Sequence, residues 1–158
     1  MRTKRLSAIW QVIAIVSLVL SLPQYSSACS CVGARGKKIL DDAAATFSGK
    51  VTKVAYLDAN QARVEPRIVV TFEVYRWWKG APTKTVVLHT FYNKWSCEGY
   101  GFKVGKEYLV FAYLNPRAIA EKFASANDSL GVNICGATGL LADAKVQLRD
   151  LGPGSVPK

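Results

Sequence analysis

The stretch RIVVTFEVYRWW, residues 67–78, decides the fold class of this chain. It is rich in β-branched and aromatic residues and runs into the glycine and proline of residues 79–82, so it predicts a strand that ends in a turn. Upstream, residues 46–57 largely alternate apolar and polar side chains, which predicts a half-buried strand. Gly49 within it marks a bulge or a close backbone approach.

Three further strands are predicted downstream, at residues 84–92 and 107–114 and, with a weaker pattern, at 129–135. Helices are predicted around this series, at 37–45, at 117–126 and at 139–149, the last with Thr138 as its cap. Five consecutive short strands favour an antiparallel barrel over a βαβ sheet, and they are few for a sandwich. We therefore expect a mainly β domain, a five-stranded Greek-key barrel of the OB type with short flanking helices.

The N-terminus has the pattern of a secretory signal peptide. Three basic residues in the first five positions precede an apolar run at 9–20, and the small residues Ser26 and Ala28 stand at −3 and −1 of a cleavage site. The alternative is a membrane anchor, but a spanning helix needs about 20 apolar residues and Pro23 interrupts this stretch. We expect export to the periplasm or the cell exterior, with cleavage after Ala28.

The residues around Cys29 also partly resemble a bacterial lipoprotein processing box. That box prefers an aliphatic residue where this chain has Ser26, so lipidation of Cys29 is the less favoured hypothesis. The predicted boundaries are a signal peptide at 1–28, one domain at 29–151 and a flexible C-terminal tail at 152–158. We expect no membrane-spanning segment in the mature chain.

Charge and motifs argue against an enzyme or a nucleic-acid-binding protein. The formal net charge of the 158 residues is +10, which falls to +7 when the three basic leader residues are removed, and no block of five basic residues occurs. The sequence contains no G-x-S-x-G, H-E-x-x-H or glycine-rich phosphate loop. The one histidine, His89, is predicted to be a surface or half-buried strand residue. Eight aromatic residues between 75 and 102 are expected to pack in the core and rim rather than to stack on bases.

All four cysteines, Cys29, Cys31, Cys97 and Cys135, follow the leader. An even count in an oxidising compartment predicts two disulfides, and a Cys29–Cys31 ring would be strained. Residues i and i+2 of an extended segment point the same way, which favours bridges from this end to Cys97 and Cys135, each worth about 4–5 kcal/mol. The competing reading is zinc ligation, but the spacing lacks the paired knuckles of structural zinc sites.

Cys29-Ser30-Cys31 directly after a signal peptide resembles the tissue inhibitors of metalloproteinases, within the netrin-like superfamily. The resemblance continues through FSGKV at 47–51, FEV at 72–74, WKG at 78–80 and GKEYLV at 105–110. It covers most of the mature chain, to about Cys135, and the chain looks particularly like the short bacterial members. The family fold is an OB-type barrel, which agrees with the strand pattern.

The resemblance implies an inhibitor of zinc proteases that has no cofactor of its own and acts as a monomer. Cys29 would offer its α-amine and carbonyl oxygen to the catalytic zinc of the partner protease, and Ser30 would point into the specificity pocket. The protease-contacting residues would be Cys29, Ser30, Cys31 and Val32. The implied disulfides are Cys29–Cys97 and Cys31–Cys135.

This chain departs from the animal family members, because it lacks the third disulfide and the cysteine-rich C-terminal subdomain. Residues 33–36 also replace a proline-containing stretch. Two other functions therefore stay open. One is a non-inhibitory netrin-like binding or cell-envelope structural module, including a form lipidated at Cys29. The other is a basic OB module whose binding to polyanions would be salt-sensitive.

Overall fold

The computed structural model describes residues 37–57, 67–91, 99–114, 130–132 and 134–158. The described chain is mainly β, and the predicted signal peptide and the predicted helix at 117–126 lie outside it. In chain order the elements are helix α1 (Lys37–Asp42), strands β1 (Ala45–Leu57), β2 (Arg67–Lys79), β3 (Thr85–Phe91), β4 (Glu107–Leu114), β5 (Leu130–Gly131) and β6 (Gly139–Leu140), a 3-10 helix (Leu141–Asp143) and helix α2 (Lys145–Leu151).

Five strands of the described sheet form a ring in the order β1-β2-β3-β5-β4, because β1 also pairs with β4. The pairing of β3 with β5, through His89 and Gly131, is parallel, and the other pairings of the ring are antiparallel. The four long strands confirm the predicted strands within one residue at each end. The predicted strand at 129–135 is shorter than expected, because β5 comprises two residues.

Gly49 lies both at a bulge and at a close approach, as its position in the alternating pattern predicts. The register between β1 and β2 shifts between Ser48 and Gly49. A Cβ atom built on Gly49 would stand 2.5 Å from the backbone oxygen of Glu73. The ring therefore closes tightly at this point because residue 49 has no side chain.

The core inside the ring is aromatic at its centre. Phe72 meets Phe47 edge-on with 5.4 Å between ring centroids, and Phe102 in the same way at 5.1 Å. The ring of Trp77 lies 5.1 Å from that of Phe47. Trp77 and Phe102 are both buried, which confirms core packing for these two of the eight aromatic residues.

Strand β4 is buried on both faces, because a second apolar cluster covers the outside of the ring. Leu109 and Phe111 point into this outer cluster, whereas Tyr108, Val110 and Ala112 point into the core. The other buried members of the outer cluster are Ile39, Ala43 and Ala144, and packed against them are Trp78, Tyr113, Ala137, Leu141, Leu148 and Leu151. None of the helices in the described ranges has the length and apolar character that a membrane crossing requires.

The prediction of a helix at 139–149 is wrong for the first half of that range. Gly139 and Leu140 instead form β6, which pairs with Leu109 and Tyr108 of β4, and α2 begins at Lys145. Thr138 is no helix cap, because its hydroxyl is hydrogen-bonded to the backbone of Phe111. Pairing with the open edge of β4 therefore outweighs the local helix propensity of this segment.

The C-terminal tail, residues 152–158, pairs with β2 through Ser155, and its flexibility stays a prediction. The amide of Ser155 donates to the oxygen of Trp77 at 2.7 Å, and the amide of Trp77 donates back to Ser155 at 2.8 Å. Within the described residues, the register of β2 with β3 stops at Glu73. The tail thus covers a strand edge that would otherwise expose unpaired backbone groups.

Candidate functional site

The structure places one of the cysteines of the predicted site. The remaining predicted site residues, Cys29, Ser30, Cys31, Val32 and Cys97, lie outside the described residues. Cys135 is half-buried, lies in a turn between β5 and β6, and is not a free thiol. The pairings Cys29–Cys97 and Cys31–Cys135 stay predictions, and the described neighbours of these cysteines define the candidate site.

Cys135 belongs to the connection between β5 and β6, residues 132–138, of which 132 and 134–138 are described; we name it the Cys135 loop. Strand β5 pairs with the end of β4, at Tyr113 and Leu114, and β6 pairs with its beginning, at Tyr108 and Leu109. The Cys135 loop connects these two places on β4. At its end, the Thr138 hydroxyl accepts the amide of Phe111 at 2.9 Å and lies 3.3 Å from the oxygen of Phe111, to which it donates. This side chain takes the place of a backbone partner, so the return of the loop to β4 is fixed.

The start of the Cys135 loop is held by Thr90, the sixth residue of β3. The buried Thr90 hydroxyl donates to the backbone oxygen of Val132 and accepts the backbone amide of Tyr100, both at 3.2 Å. Tyr100 follows Cys97 by three residues in sequence, and Val132 precedes Cys135 by three. One hydroxyl therefore joins a residue close to each of the two cysteines that are predicted to bind the N-terminal segment.

Helix α1, which follows the predicted protease-binding segment in sequence, is attached to the same side of the molecule. Ile39 and Ala43 are buried in the outer cluster, and Ala137 of the Cys135 loop packs against that cluster. The Lys79 ammonium donates to the oxygens of Leu40 and Asp41 at 3.0 and 2.8 Å. A cation at the last carbonyls of a helix favours that helix end, so α1 is fixed to β2 as well as to β4.

Two tyrosines beside the site, Tyr100 and Tyr113, have shifted pKa values. Burial raises the pKa of Tyr100, with a smaller contribution from neighbouring Tyr108. Burial also raises the pKa of Tyr113, helped by the carboxylate of Asp42. Both phenols therefore stay protonated at neutral pH. His89, on β3, is half-buried, as predicted, and the described ranges hold no cluster of His, Cys, Asp and Glu that could bind a metal ion.

Comparison with known proteins adds no relative: no protein-family model matches the chain, and neither does any curated protein sequence.

Sequence reasoning missed the hydroxyls of Thr90 and Thr138. A signal for Thr90 does exist. Side chains two residues apart in a strand point to the same face, so Thr90 lies on the same face of β3 as the buried Val86 and Leu88. A hydroxyl buried on that face is expected to have a hydrogen-bond partner. The partner itself could not be found from sequence, because Val132 is 42 positions away.

Proposed function

We propose that the mature protein is an exported inhibitor of zinc metalloproteases, a short relative of the tissue inhibitors of metalloproteinases with a netrin-like, OB-type barrel. Its α-amine and carbonyl oxygen at Cys29 bind the catalytic zinc of the target. The zinc belongs to the protease, and the inhibitor contributes no cofactor.

The order of the strand ring supports the barrel part of this proposal. OB-type barrels are five-stranded, Greek-key and partly open. Here the ring runs β1-β2-β3-β5-β4, and its narrowest described contact is the single register pair His89–Gly131 between β3 and β5. A ring that is fully paired on one side and thinly paired on the other fits a partly open barrel.

The observation that carries the inhibitor proposal is that the Cys135 loop and helix α1 pack against the same outer cluster. Ala137, two residues after Cys135, packs against the cluster that buries Ile39 and Ala43 of α1. Six residue steps separate Cys31 from Lys37, and a chain of that length spans at most about 20 Å. A Cys31–Cys135 bridge requires Cys135 to lie within about this distance of the start of α1, and the shared outer cluster supports that requirement.

The proposed chemistry needs an end that is both free and rigid. A neutral amine and the carbonyl of the same residue form a five-membered chelate, which displaces the water that zinc would activate. An α-amine has an ordinary pKa of about 7.7–8.0, so zinc readily replaces its proton. Bridges from Cys29 and Cys31 to the barrel would reduce the conformational entropy that the end loses on binding.

The test compares the mature protein, beginning at Cys29, with a variant that carries one extra alanine before Cys29. A matched control carries its extra alanine after Lys158. Inhibition of a zinc metalloprotease is measured with a peptide substrate, and urea unfolding verifies that the three proteins are equally stable. We expect the N-terminal addition to weaken inhibition by about 100-fold or more, roughly 2.8 kcal/mol of binding free energy.

The C-terminal addition should leave inhibition unchanged. Equal inhibition by all three proteins would exclude chelation through Cys29. An absence of inhibition by all three would exclude the inhibitor function and favour a netrin-like module with another role.

A further inference from the structure

We propose that Thr90 is a positioning residue for the proposed protease-binding end. Its hydroxyl couples the chain that follows Cys97 to the Cys135 loop, so that both attachment points of the N-terminal segment move as one unit. This inference rests on the proposed function, although the coupling itself can be measured without a protease.

The hydrogen-bonding capacity of the Thr90 hydroxyl fits this role. A hydroxyl has one proton to donate and lone pairs to accept with. Here the proton goes to the oxygen of Val132, while a lone pair receives the amide of Tyr100. Thr90 is 2% exposed and Val132 is buried, so loss of the hydroxyl would leave the Val132 oxygen without this partner in a place that water does not readily reach, and would also remove the acceptor of the Tyr100 amide.

The two sides that Thr90 joins differ in how firmly they are held. Tyr100 is packed against the core, with its ring centroid 4.6 Å from that of Phe102 and 6.0 Å from that of Tyr108. In the described residues, the backbone register between β3 and β5 consists of the one pair His89–Gly131. The Thr90 hydroxyl extends this short contact to the next residue of the chain and thereby connects the start of the Cys135 loop to the aromatic core.

The far end of the same loop offers an internal comparison. Thr138 also has a buried hydroxyl with two backbone bonds, but both go to Phe111 of β4. Thr138 therefore holds the Cys135 loop without contacting the chain beside Cys97. Loss of the Thr138 hydroxyl should loosen one attachment point, whereas loss of the Thr90 hydroxyl should loosen both.

The experiment uses the mature protein with four substitutions. Thr90→Val removes the hydroxyl at nearly constant shape, and Thr90→Ser keeps it. Thr138→Val is the one-sided comparison, and Val74→Ala, a core change near Gly49, controls for lost stability. Should Thr90→Val not fold, Thr90→Ala removes the same hydroxyl without adding a buried methyl group. The readouts are amide hydrogen exchange resolved at single residues and inhibition of a zinc metalloprotease.

We expect Thr90→Val to speed exchange at the Tyr100 amide and in the Cys135 loop by about tenfold beyond Val74→Ala, and to weaken inhibition by a similar factor. Thr90→Ser should stay within about threefold of the unmodified protein in both readouts, and Thr138→Val should leave the Tyr100 amide protected.

The outcomes separate the two proposals. If Thr90→Val exchanges and inhibits like Val74→Ala, the positioning role is wrong and the inhibitor function stands. If exchange rises at both sites while inhibition does not weaken, the coupling is real but does not position the binding end, and the inference is again overturned. If the unmodified protein inhibits no zinc protease, the proposed function falls and the positioning role with it.

Discussion

Replacing Gly49 with alanine tests the tightest point of the ring. The added Cβ would stand 2.5 Å from the oxygen of Glu73 and 3.2 Å from both the carbonyl carbon of Glu73 and the Cα of Val74. All three atoms belong to the backbone of β2, so no flexible side chain can move aside. Because carbon and oxygen atoms in contact rarely approach below about 3 Å, β1 and β2 must separate by about 0.5 Å within a close-packed core.

The magnitude follows from three contributions. Overpacking of a well-filled core costs about 1–3 kcal/mol, and weakened backbone hydrogen bonds between the two strands cost about 0.5–1.5 kcal/mol. The lower conformational entropy of an unfolded chain with alanine returns about 0.4–1 kcal/mol. We therefore expect Gly49→Ala to lower the free energy of unfolding by about 2 kcal/mol, and the three ranges together allow about 0.5–4 kcal/mol.

The assay is urea denaturation of the oxidised protein at neutral pH, followed by tryptophan fluorescence. Gly101→Ala is the matched control, because Gly101 is exposed and, apart from its two chain neighbours, no described residue has a heavy atom within 4 Å of its would-be Cβ. The control should stay within about 0.5 kcal/mol of the unmodified protein or be slightly more stable. If Gly49→Ala is as stable as Gly101→Ala, the close approach of β1 and β2 has been misjudged.

Three further substitutions or conditions have defined expectations. The buried Thr46 hydroxyl has no hydrogen-bond partner among the described residues. Thr46→Val should therefore raise the free energy of unfolding by about 1 kcal/mol. A lower free energy of unfolding in urea denaturation would contradict this expectation. Ser155→Pro removes the amide that donates to Trp77 and should lower the free energy of unfolding by about 1–3 kcal/mol. Ser155→Ala keeps that amide and should lower it by less than half as much. Equal losses of stability in the two variants would show that this hydrogen bond of the tail contributes little. Burial raises the pKa of Tyr100 and Tyr113 above the ordinary value of 10.0. The unfolded chain therefore releases these protons at a lower pH than the folded protein does. The free energy of unfolding should fall as the pH rises past about 10. Tyr113→Phe should reduce that fall in an alkaline urea series, and an identical pH profile would exclude a contribution from Tyr113.

The four long strands could be predicted because local pattern and tertiary structure agree there. Glycines at 80 and 105 end or begin strands with positive φ angles of 105° and 80°, which is why turn residues marked the boundaries well. The continuous apolar run of β4 agrees with the burial of this strand on both faces, which the structure shows. The residues that cover the outer face of β4 could not be predicted, because they come mainly from around helices α1 and α2, at opposite ends of the described chain.

Where the prediction was wrong, long-range pairing replaced a local preference. Helix α1 ends at Asp42 rather than at residue 45, because the amide of Ala44 donates to the oxygen of Ala112 and leads the chain into β1. Gly139 and Leu140 likewise join β4 instead of starting a helix. The candidate site depends on such contacts throughout, since the partners of Thr90 and Thr138 are distant in sequence. Composition near Cys97 and Cys135 therefore gave no sign of how these segments are joined.

Peptide and intact mass spectrometry of the exported protein tests the central claim most directly, because it reports the first residue, any group on its nitrogen and the cysteine pairs. The account predicts a chain that starts at Cys29 with an unmodified amine, together with the linked peptides Cys29–Cys97 and Cys31–Cys135. An acylated or lipid-bearing Cys29, or a leader still attached, would contradict it, because no free amine would then be available to bind zinc.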